Sequence, residues 1–488
     1  MSQPILRADQ LRDLERRHAS DHSPLMERAG KAAAELIARL QHGLAAAPLI
    51  FAGPGNNGGD GFVAARLLHQ RGLRPLVVSR ADPGSMPADA LRAWNDWRAA
   101  GGREHREVPP GRYGVVVDAL FGIGLTRPLD GIYGEWVSAI NAYGGPILAL
   151  DCPSGLDANS GRRYGAAVRA SHTLTFIALK PGLLTLDGPD HCGALSVADL
   201  QLGDEVKTVA RGHIIGQRDF ADRLHPRRRN SHKGSYGSVA VIGGASGLAG
   251  AALLSGRAAL KLGAGRVYLG MLERLAIDPG QPELMLRGID DAIATADVLA
   301  VGPGLGDSAA AAEYLRQAIA ADKPLLIDAD GINLLAMHPS FVRQVARRTA
   351  ATVLTPHPLE AARLLGRNVD SVQADRVAST LELAARYHAD VALKGCGTIV
   401  AAASGDWRIN TSGNPGLAAA GSGDVLTGFA AALLAQGWPA TAALIGAVHL
   451  HGAAADRLAE ACGGTVGITA SELPDAARAT FNQWIADA

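Results

Sequence analysis

The sequence predicts an α/β fold in two domains, each built around a mostly parallel sheet. Short apolar runs recur along the 488 residues and alternate with segments of helical spacing, which is the pattern of repeated β/α units. Several of these runs end in glycine-rich or acidic stretches, and α/β sheets bind ligands at the carboxyl ends of their strands. The length and the 48% hydrophobic content are sufficient for two or three separate cores.

The first domain begins with helical spacing over residues 5–42. We expect two helices there, broken near Ser23 and Pro24, with an apolar stripe that packs in the core or against another subunit. Residues 48–72 then predict a buried strand, a glycine loop and an amphipathic helix. Further strands are predicted at 76–79, 115–118, 147–150 and 174–178.

Polar motifs follow three of these strands. The loop NNGGD at 56–60 offers amide donors and acceptors that suit a polar nucleotide or a cation, although its residues are also ordinary turn formers. DALFGIGLTRPLDGIYG at 118–134 follows the third strand, and DCPSGLDANSG at 151–161 follows the fourth. Asp151 is a candidate general acid or base, and the alternative is that it caps the turn before Pro153.

The second domain repeats the β/α pattern after a seam at 204–236, where the strand pattern lapses. Strands ending in glycines are predicted within 236–260 and 298–306, and a hairpin is predicted over 390–403. The strand within 324–335 is followed by Asp328, Asp330 and Asn333. His357 and Glu360 precede a helix within 351–366, where a lone histidine is more often structural than catalytic.

An anion site is predicted within 409–428, INTSGNPGLAAAGSGDVLTG, where a glycine-rich loop leads into a helix over 425–436. Gly421, Ser422 and Gly423 leave backbone N–H groups open to a phosphate. Asp424 lies where these donors converge, so it can take a proton from a hydroxyl that attacks the phosphate. The alternative is that Asp424 only caps the helix.

Composition excludes several classes of partner. Lys plus Arg and Asp plus Glu number 47 each, so no overall charge field attracts nucleic acid or an anionic membrane. The chain lacks a long uninterrupted apolar run and the start of a signal peptide, and we expect a cytoplasmic protein. The four cysteines are far apart without a CxxC pair, so we expect them to be reduced and structural: Cys152, Cys192, Cys396 and Cys462.

Together these motifs resemble the bifunctional NAD(P)H-hydrate repair enzymes over almost the whole chain. The resemblance rests on NNGGD, DALFGIGL, DCPSGL, SHKGSYG, TPHPLE and the long run NPGLAAAGSGDVLTG. It implies a Rossmann-like three-layer αβα epimerase domain over residues 1–213 and a ribokinase-like αβα dehydratase domain over residues 214–488. Ile123 stands where the family usually has Thr, and Leu359 where it usually has Gly.

The resemblance implies site residues in both halves. In the first half, the hydrate would contact Asn56, Asn57, Gly58, Gly59, Asp60, Gly122, Ile123, Gly124, Leu125, Thr126, Arg127, Pro128, Tyr133 and Asp151. A potassium ion would be held there by Asn57, Asp118 and Ser154, whose oxygens suit a hard cation. In the second half, the hydrate would contact Ala251, Gly306, His357 and Asp424. ADP, acting with Mg²⁺, would contact Lys394, Gly395, Cys396, Gly397, Thr398, Gly421, Ser422 and Gly423.

The implied function is repair of hydrated NADH and NADPH by a homo-oligomer whose partners are the hydrates and ADP. The first half would interconvert the R and S hydrates at C6, with Asp151 as acid or base. The second half would dehydrate the S form with ADP, releasing AMP and phosphate, with Asp424 as base. Two alternatives stay open: a ribokinase-like kinase that makes a stable phosphorylated product, and a first half that serves only as a binding or scaffold module, as in an mRNA-decapping scaffold.

Overall fold

A computed structural model describes residues 3–19 and 24–488 of the chain. Contacts within the chain divide it into two compact units, one over Gln3–Arg211 and the other over Gly212–Ala488. The predicted boundary of the functional domains after residue 213 stays a prediction. Among the described residues, none of the helices combines the length and the apolar character that a membrane crossing requires.

The first unit alternates strands and helices. Its elements are β1 (Pro4–Ile5), α1 (Ala8–Arg17), α2 (Leu25–Leu40), β2 (Leu49–Ala52), α3 (Asn56–Gln70), β3 (Leu76–Val78), α4 (Ala88–Ala99), β4 (Glu104–His105), β5 (Val116–Ala119), α5 (Gly131–Asn141), β6 (Ile147–Leu150), β7 (His172–Phe176), α6 (Gly188–Cys192), β8 (Ala194–Ala198) and α7 (Gly203–Val209). Seven strands form a parallel sheet in the order β4-β3-β2-β5-β6-β7-β8.

Side chains alternate between the two faces of this sheet and build a core on each. Along β2, Ile50 and Ala52 pack with α2, α3 and α4, whereas Leu49 and Phe51 pack with Trp136 of α5. Helices therefore cover both faces, which makes the unit a three-layer αβα structure.

The second unit is larger and follows the same plan. Its elements are β9 (Gly212–Ile214), β10 (Ser238–Gly243), α8 (Ala249–Lys261), β11 (Arg266–Met271), β12 (Met285–Arg287), α9 (Ile289–Thr295), β13 (Val298–Val301), α10 (Ala309–Ala320), β14 (Leu325–Ile327), α11 (Ala329–Met337), α12 (Pro339–Val345), β15 (Thr352–Leu354), α13 (Pro358–Leu365), α14 (Val369–Ala374), α15 (Arg376–Tyr387), β16 (Asp390–Leu393), β17 (Ile399–Ala401), β18 (Trp407–Ile409), α16 (Ser422–Ala435), α17 (Ala440–Cys462) and α18 (Leu473–Asp487).

Its strands lie side by side in the order β9-β18-β17-β16-β15-β14-β13-β10-β11-β12. Every pairing from β16 to β12 in this order is parallel. Strand β17 pairs antiparallel with both β16 and β18. One face of the sheet packs on α8, α16 and α17 through a continuous buried cluster. The hairpin predicted over 390–403 is confirmed as β16 and β17.

Several predicted boundaries were wrong. NNGGD is the first turn of α3, which begins at Asn56, and not a loop. A Cβ at Gly58 would lie 1.9 Å from the carbonyl oxygen of Gly53, so glycine lets the helix start against β2 despite its poor helix propensity. Helix α16 begins at Ser422 and not at residue 425. Strand β9 lies inside the stretch in which the strand pattern was expected to lapse.

The predictions for the cysteines and for the N-terminal helices are confirmed in part. The four cysteines form no disulfide, as expected, but only Cys152 and Cys192 are buried, whereas Cys396 and Cys462 are exposed. Helices α1 and α2 occupy the predicted N-terminal segment, and Pro24 directly precedes α2. Ser23, where the break was expected, lies outside the described residues.

Candidate functional sites

In the first unit, the polar motifs meet at one edge of the sheet. Strands β2, β5 and β6 are neighbours and run parallel, so the segments that follow them emerge together. Asn57, Asp60 and Asp151 lie in these segments, and Asp118 lies near the end of β5 itself. Buried strands thus position the three predicted motifs around a common site.

Asp151 has a backbone conformation that few residues with side chains adopt. Its φ is 63°, in the left-handed region, which costs about 1–3 kcal/mol and concentrates at functional sites. Its Oδ2 accepts a hydrogen bond from the Ile123 N–H at 3.3 Å, and its Oδ1 lies 2.5 Å from the Nζ of Lys180. The Asp151 carboxylate is therefore held by these two partners. These contacts account for its position without the alternative role of capping the turn before Pro153.

Lys180 is a site residue that the sequence analysis missed. It is 1% exposed, and its ammonium donates to Asp151, to Thr175 Oγ1 at 2.6 Å and to the Phe176 carbonyl at 2.9 Å. A fully buried lysine needs partners of this kind. The signal in the sequence was a lysine inside the apolar run FIALKPGL, directly after a predicted strand.

Two further carboxyl groups lie close to this pair. Burial, with the charges of Asp151 and Glu15, raises the pKa of Asp60 well above its usual value, and the Lys180 ammonium opposes the shift. Burial and the charge of Asp151 likewise raise the pKa of Glu15, which the sequence analysis also missed. The site therefore combines a charged pair with carboxyl groups that retain their protons to higher pH.

Asp118, Ser154 and Asn57 were predicted to hold potassium. Ser154 donates to Asp118 through its Oγ at 2.6 Å and its backbone N–H at 2.8 Å. Burial raises the pKa of Asp118 to about 6, and these hydrogen bonds oppose the shift. The Oδ1 and Nδ2 atoms of Asn57 are buried without a hydrogen-bond partner among the described residues. An unpaired buried amide oxygen of this kind fits an oxygen-ligated cation.

Some residues of the loop over 122–128 lie beside Asp151, whereas others are exposed. Gly122 and Ile123 lie beside Asp151, and Leu125 is buried. Gly124, Thr126, Arg127 and Pro128 are exposed, so the structure leaves their predicted contacts with a hydrate as predictions. The Tyr133 ring packs edge-on against Phe121, with centroids 5.0 Å apart.

In the second unit, the predicted anion loop forms the start of α16. Gly421 is its N-cap with φ 87°, and a Cβ there would lie 2.5 Å from Leu254 Cδ1. Ser422, Gly423 and Asp424 form the first turn, so Asp424 follows the N-cap instead of occupying it. The helix start thus presents backbone N–H groups and a carboxylate at the same end, and among them the Ser422 N–H donates to the Ala419 carbonyl at 3.3 Å.

A charged cluster lies beside this turn. The Lys394 Nζ is 2.7 Å from Asp328 Oδ1, and Thr427 Oγ1 donates to Asp328 Oδ2 at 2.7 Å. A Cβ on Gly423 would lie 3.3 Å from the Lys394 Nζ, which places the ammonium against the helix start. Burial of Lys394 lowers its pKa, but the charges of Asp328, Glu360 and Asp424 outweigh that effect and raise it.

Asp424 has the electrostatic properties of a base that works near neutral pH. Burial and the negative charge of Asp328 raise its pKa to about 7, and Lys394 opposes the shift. Asp330 and Glu360 add to the increase. A carboxyl group poised at this pKa exchanges protons readily at physiological pH.

The turn that was predicted to bind ADP is held by Arg376, which the sequence analysis missed. This arginine is 2% exposed and donates to the carbonyls of Leu393, Lys394 and Gly397 at 3.2, 3.3 and 3.4 Å. Burial lowers its pKa to about 10. The remaining members of the turn, Gly395, Cys396 and Thr398, lie on the loop between β16 and β17.

His357 is the N-cap of α13. Its Nδ1 accepts from the backbone N–H groups of Leu359 and Glu360 at 3.1 and 3.3 Å, while Glu360 Oε2 accepts from the His357 N–H at 2.8 Å. The histidine therefore has a structural role, and its predicted contact with the hydrate stays a prediction. Leu359 is exposed.

A cavity of about 660 Å³ adjoins this region, and Gly306 and Asp330 are among its lining residues. The Gly306 N–H donates to Asp330 Oδ2 at 2.9 Å. Asp330 also acts electrostatically on Asp424, so the cavity and the proposed base share a charged neighbour. Ala251 lies in the first turn of α8, close to Gly304. A Cβ placed on Gly304 would be 3.2 Å from the Ala251 Cβ.

Comparison with known proteins covers both units. Residues 239–477 match the family model for NAD(P)H-hydrate dehydratase, and residues 22–182 match the model for the YjeF-related protein N-terminus. The bifunctional NAD(P)H-hydrate repair enzyme Nnr of Escherichia coli (strain K12) is 40% identical over 478 residues, covering 95% of this chain and 90% of that protein. The enzyme of the same name from Coxiella burnetii is 38% identical, covering 95% and 96%.

Solved structures match the second unit. The ADP/ATP-dependent NAD(P)H-hydrate dehydratase from Bacillus subtilis, co-crystallised with ATP and Mg²⁺, is 31% identical with a TM-score of 0.51, covering 56% of this chain and 98% of that one. A ribokinase-like superfamily protein from Enterococcus faecalis V583 is 27% identical with a TM-score of 0.50, covering 56% and 96%. The predicted α/β fold, with a ribokinase-like second unit, is confirmed.

Proposed function

We propose a function from one established premise: this chain belongs to the family of bifunctional NAD(P)H-hydrate repair enzymes. Its second unit would dehydrate the S hydrate of NADH or NADPH with ADP, releasing AMP and phosphate. Its first unit would interconvert the R and S hydrates at C6. The observation that carries the proposal is the position of Asp424, with a pKa near 7, on the first turn of α16 beside Lys394.

Dehydration needs activation of a poor leaving group. Asp424 takes the proton of the C6 hydroxyl, whose oxygen forms a bond to the β-phosphorus of ADP while the bond to the AMP phosphate breaks. The amides of Gly421 and Gly423 and the Lys394 ammonium would stabilise charge on the transferred phosphoryl group. The C6–O bond then breaks with loss of phosphate, and loss of the C5 proton restores the dihydronicotinamide.

The residues present fit Mg²⁺ bound together with the nucleotide. Within the described ranges, the structure has no cluster of three or more metal-ligating side chains. Mg²⁺ in phosphoryl-transfer sites is commonly held by one or two carboxylates and the phosphates themselves, and it neutralises charge on the transferred group. Glu360 and Asp328 are buried carboxylates that act on Asp424 and would supply such ligands, with Asp328 also contacting Lys394 and Thr427.

Epimerisation needs the hydroxyl to leave C6 and to return on the other face. The raised pKa of Asp60 lets its carboxyl keep a proton at the site. Asp151, held by Lys180 and the Ile123 N–H, would pass this proton to the oxygen that departs from C6 as water, and would accept a proton back when water adds to the other face. Asn57, Asp118 and Ser154 would hold potassium, which supplies fixed positive charge, and the unpaired amide oxygen of Asn57 supports this assignment.

The direct test uses the separated R and S hydrates of NADH. With ADP and Mg²⁺, the protein should convert the S form to NADH, seen as recovery of the dihydronicotinamide absorbance, with one AMP and one phosphate per turnover. Starting from the R hydrate, NADH should form only as fast as the R hydrate is converted to the S hydrate. Accumulation of a stable phosphorylated product would instead identify a kinase, and no recovery with either epimer would refute the dehydratase.

A further inference from the structure

A second cavity, of about 440 Å³, adjoins the one lined by Gly306 and Asp330 and shares Ala336 and Arg363 with it. Arginines supply every charged side chain among its described lining residues: Arg343 of α12, Arg363 of α13 and Arg386 of α15. We call these three residues and the cavity that they line the arginine cleft. Three separate helices thus bring positive charge to one concave surface.

No carboxylate among the described residues pairs with the arginines of the cleft. Arg363 donates to the neutral amide oxygen of Asn333 at 2.6 Å. Elsewhere in this unit arginines pair with carboxylates, as Arg367 does with Glu382 at 2.7 Å. In the described part of the chain, neither Arg343 nor Arg386 forms an ion pair. Guanidinium groups that line one cavity without a carboxylate partner favour a multiply charged anion such as a phosphate, which arginine can bind bidentately.

The rest of the lining is apolar and suits the carbon skeleton of a nucleoside. Val342, Leu364 and Leu365 contribute aliphatic surface. Tyr387 also lines the cleft, and its buried hydroxyl has no hydrogen-bond partner among the described residues. Small-molecule sites commonly combine an apolar lining with a few polar groups in this way.

The order of the two cavities matches the order of groups along a dinucleotide. The nicotinamide ring must reach Asp424, and the first cavity extends from Asp330, which acts electrostatically on Asp424, to Arg363. The arginine cleft continues from Arg363, and none of its lining residues is among the groups that act on Asp424. With the ring at Asp424, the part of the hydrate that would reach the cleft is its adenosine end. In NADP-binding proteins an arginine commonly accommodates the 2′-phosphate of that adenosine.

We infer that the arginine cleft binds the 2′-phosphate of NADPH hydrate and gives the dehydratase a preference for NADPH hydrate over NADH hydrate. This inference rests on the proposed dehydratase activity. Arg343 and Arg386 supply the phosphate contacts, while Arg363 lies at the junction of the two cavities. The cleft is a specificity site and contributes nothing to the reaction at C6.

The test compares ADP-dependent dehydration of the S hydrates of NADPH and NADH by the full-length protein. In Arg343→Ala and Arg386→Ala we expect KM for NADPH hydrate to increase about tenfold or more, with kcat unchanged. KM for NADH hydrate should stay within about twofold. Arg347→Ala is the matched control, because Arg347 is an exposed arginine near the end of α12 that does not line the cleft. It should change neither KM.

A second measurement uses the reaction product as a probe. NADPH should inhibit the wild-type dehydratase more strongly than NADH, and both variants should lose this difference. Equal losses for the two hydrates would place the shared diphosphate in the cleft and overturn the assignment, as would unchanged KM values. If the wild-type protein dehydrates neither hydrate, the proposed function itself fails, whereas dehydration of both without a selective effect refutes only this inference.

Discussion

Lys394 forms an ion pair with the buried Asp328, with Nζ 2.7 Å from Oδ1, beside the first two turns of helix α16. The two residues come from strands that are not neighbours, since β15 lies between β14 and β16. The pair acts on Asp424 in opposite directions, because Asp328 raises the pKa of Asp424 and Lys394 lowers it. Burial raises the pKa of Asp424 most, and charged side chains distant from it in sequence adjust the result.

Asp424→Asn tests whether this residue is the base. Asparagine keeps the shape and the position on the first turn of α16 but cannot accept the proton. We expect kcat of dehydration to fall about 10²-fold or more, as for loss of a general base, with ADP affinity within about threefold of wild type. Rate measurements with the S hydrate and calorimetric titration of ADP provide the two values. Wild-type turnover in this variant would rule out the assignment.

The pH dependence of dehydration tests the electrostatic origin of the pKa. Asp424 must be deprotonated to act, so with a pKa of about 7 the rate should fall about tenfold per pH unit below that value and level off above it. In Asp328→Asn a charge that raises the pKa is lost, and Lys394 also loses its partner. Both changes favour the ionised form, so the midpoint should move to lower pH. An unchanged midpoint would mean that another group controls the profile.

Asp151→Ala separates the two activities. Removing this carboxylate should abolish enzyme-accelerated interconversion of the R and S hydrates, because it removes the group proposed to transfer the proton. Dehydration of the purified S hydrate should continue at the wild-type rate, since Asp151 belongs to the first unit. The rate of dehydration of the S hydrate is thus an internal control for folding of the variant. Epimerisation at the wild-type rate would show that another group does this work.

The outline of both sites was predictable because their motifs follow buried strands. Asp151 and Asp424 each lie in a dense run of glycines and polar residues that ordinary packing does not require. The helical start at Asn56 was not predictable from local preference, because Asn and Gly disfavour helix. The close packing of Gly58 against Gly53, which only glycine permits, accounts for the helix start at Asn56.

The supporting residues were missed because only tertiary structure buries them. Arg376 begins an amphipathic helix in the segment VQADRVAST, where its charge looks like that of an ordinary solvent-facing residue. It becomes 2% exposed when α15 packs on the β16 and β17 hairpin. Lys180 lies 29 residues after Asp151 and reaches it because β7 pairs with β6. Spacing along the chain carries no signal for either contact.

Arg376→Met tests whether this arginine positions the nucleotide turn. Methionine fills similar space but leaves the carbonyls of Leu393, Lys394 and Gly397 without their donor. We expect KM for ADP to rise about tenfold while epimerisation is unchanged, and the unfolding free energy to fall by about 2–4 kcal/mol. Arg316→Met, which breaks an exposed pair with Glu313, is the control and should alter neither value. A stability loss without any change in KM would make Arg376 purely structural.

Lys180→Met tests whether the buried lysine sustains the epimerase site. Lys180 lowers the pKa of Asp60 and of Glu15, so its removal should raise both further, and it also removes the cation that holds Asp151. We expect epimerisation to slow by about 10²-fold and its pH profile to move toward higher pH. Dehydration of the S hydrate should be unaffected. Lys207→Met removes an exposed lysine of the same unit and should leave both activities unchanged. If Lys180→Met slowed epimerisation without moving the pH profile, the lysine would act by packing and not by its charge.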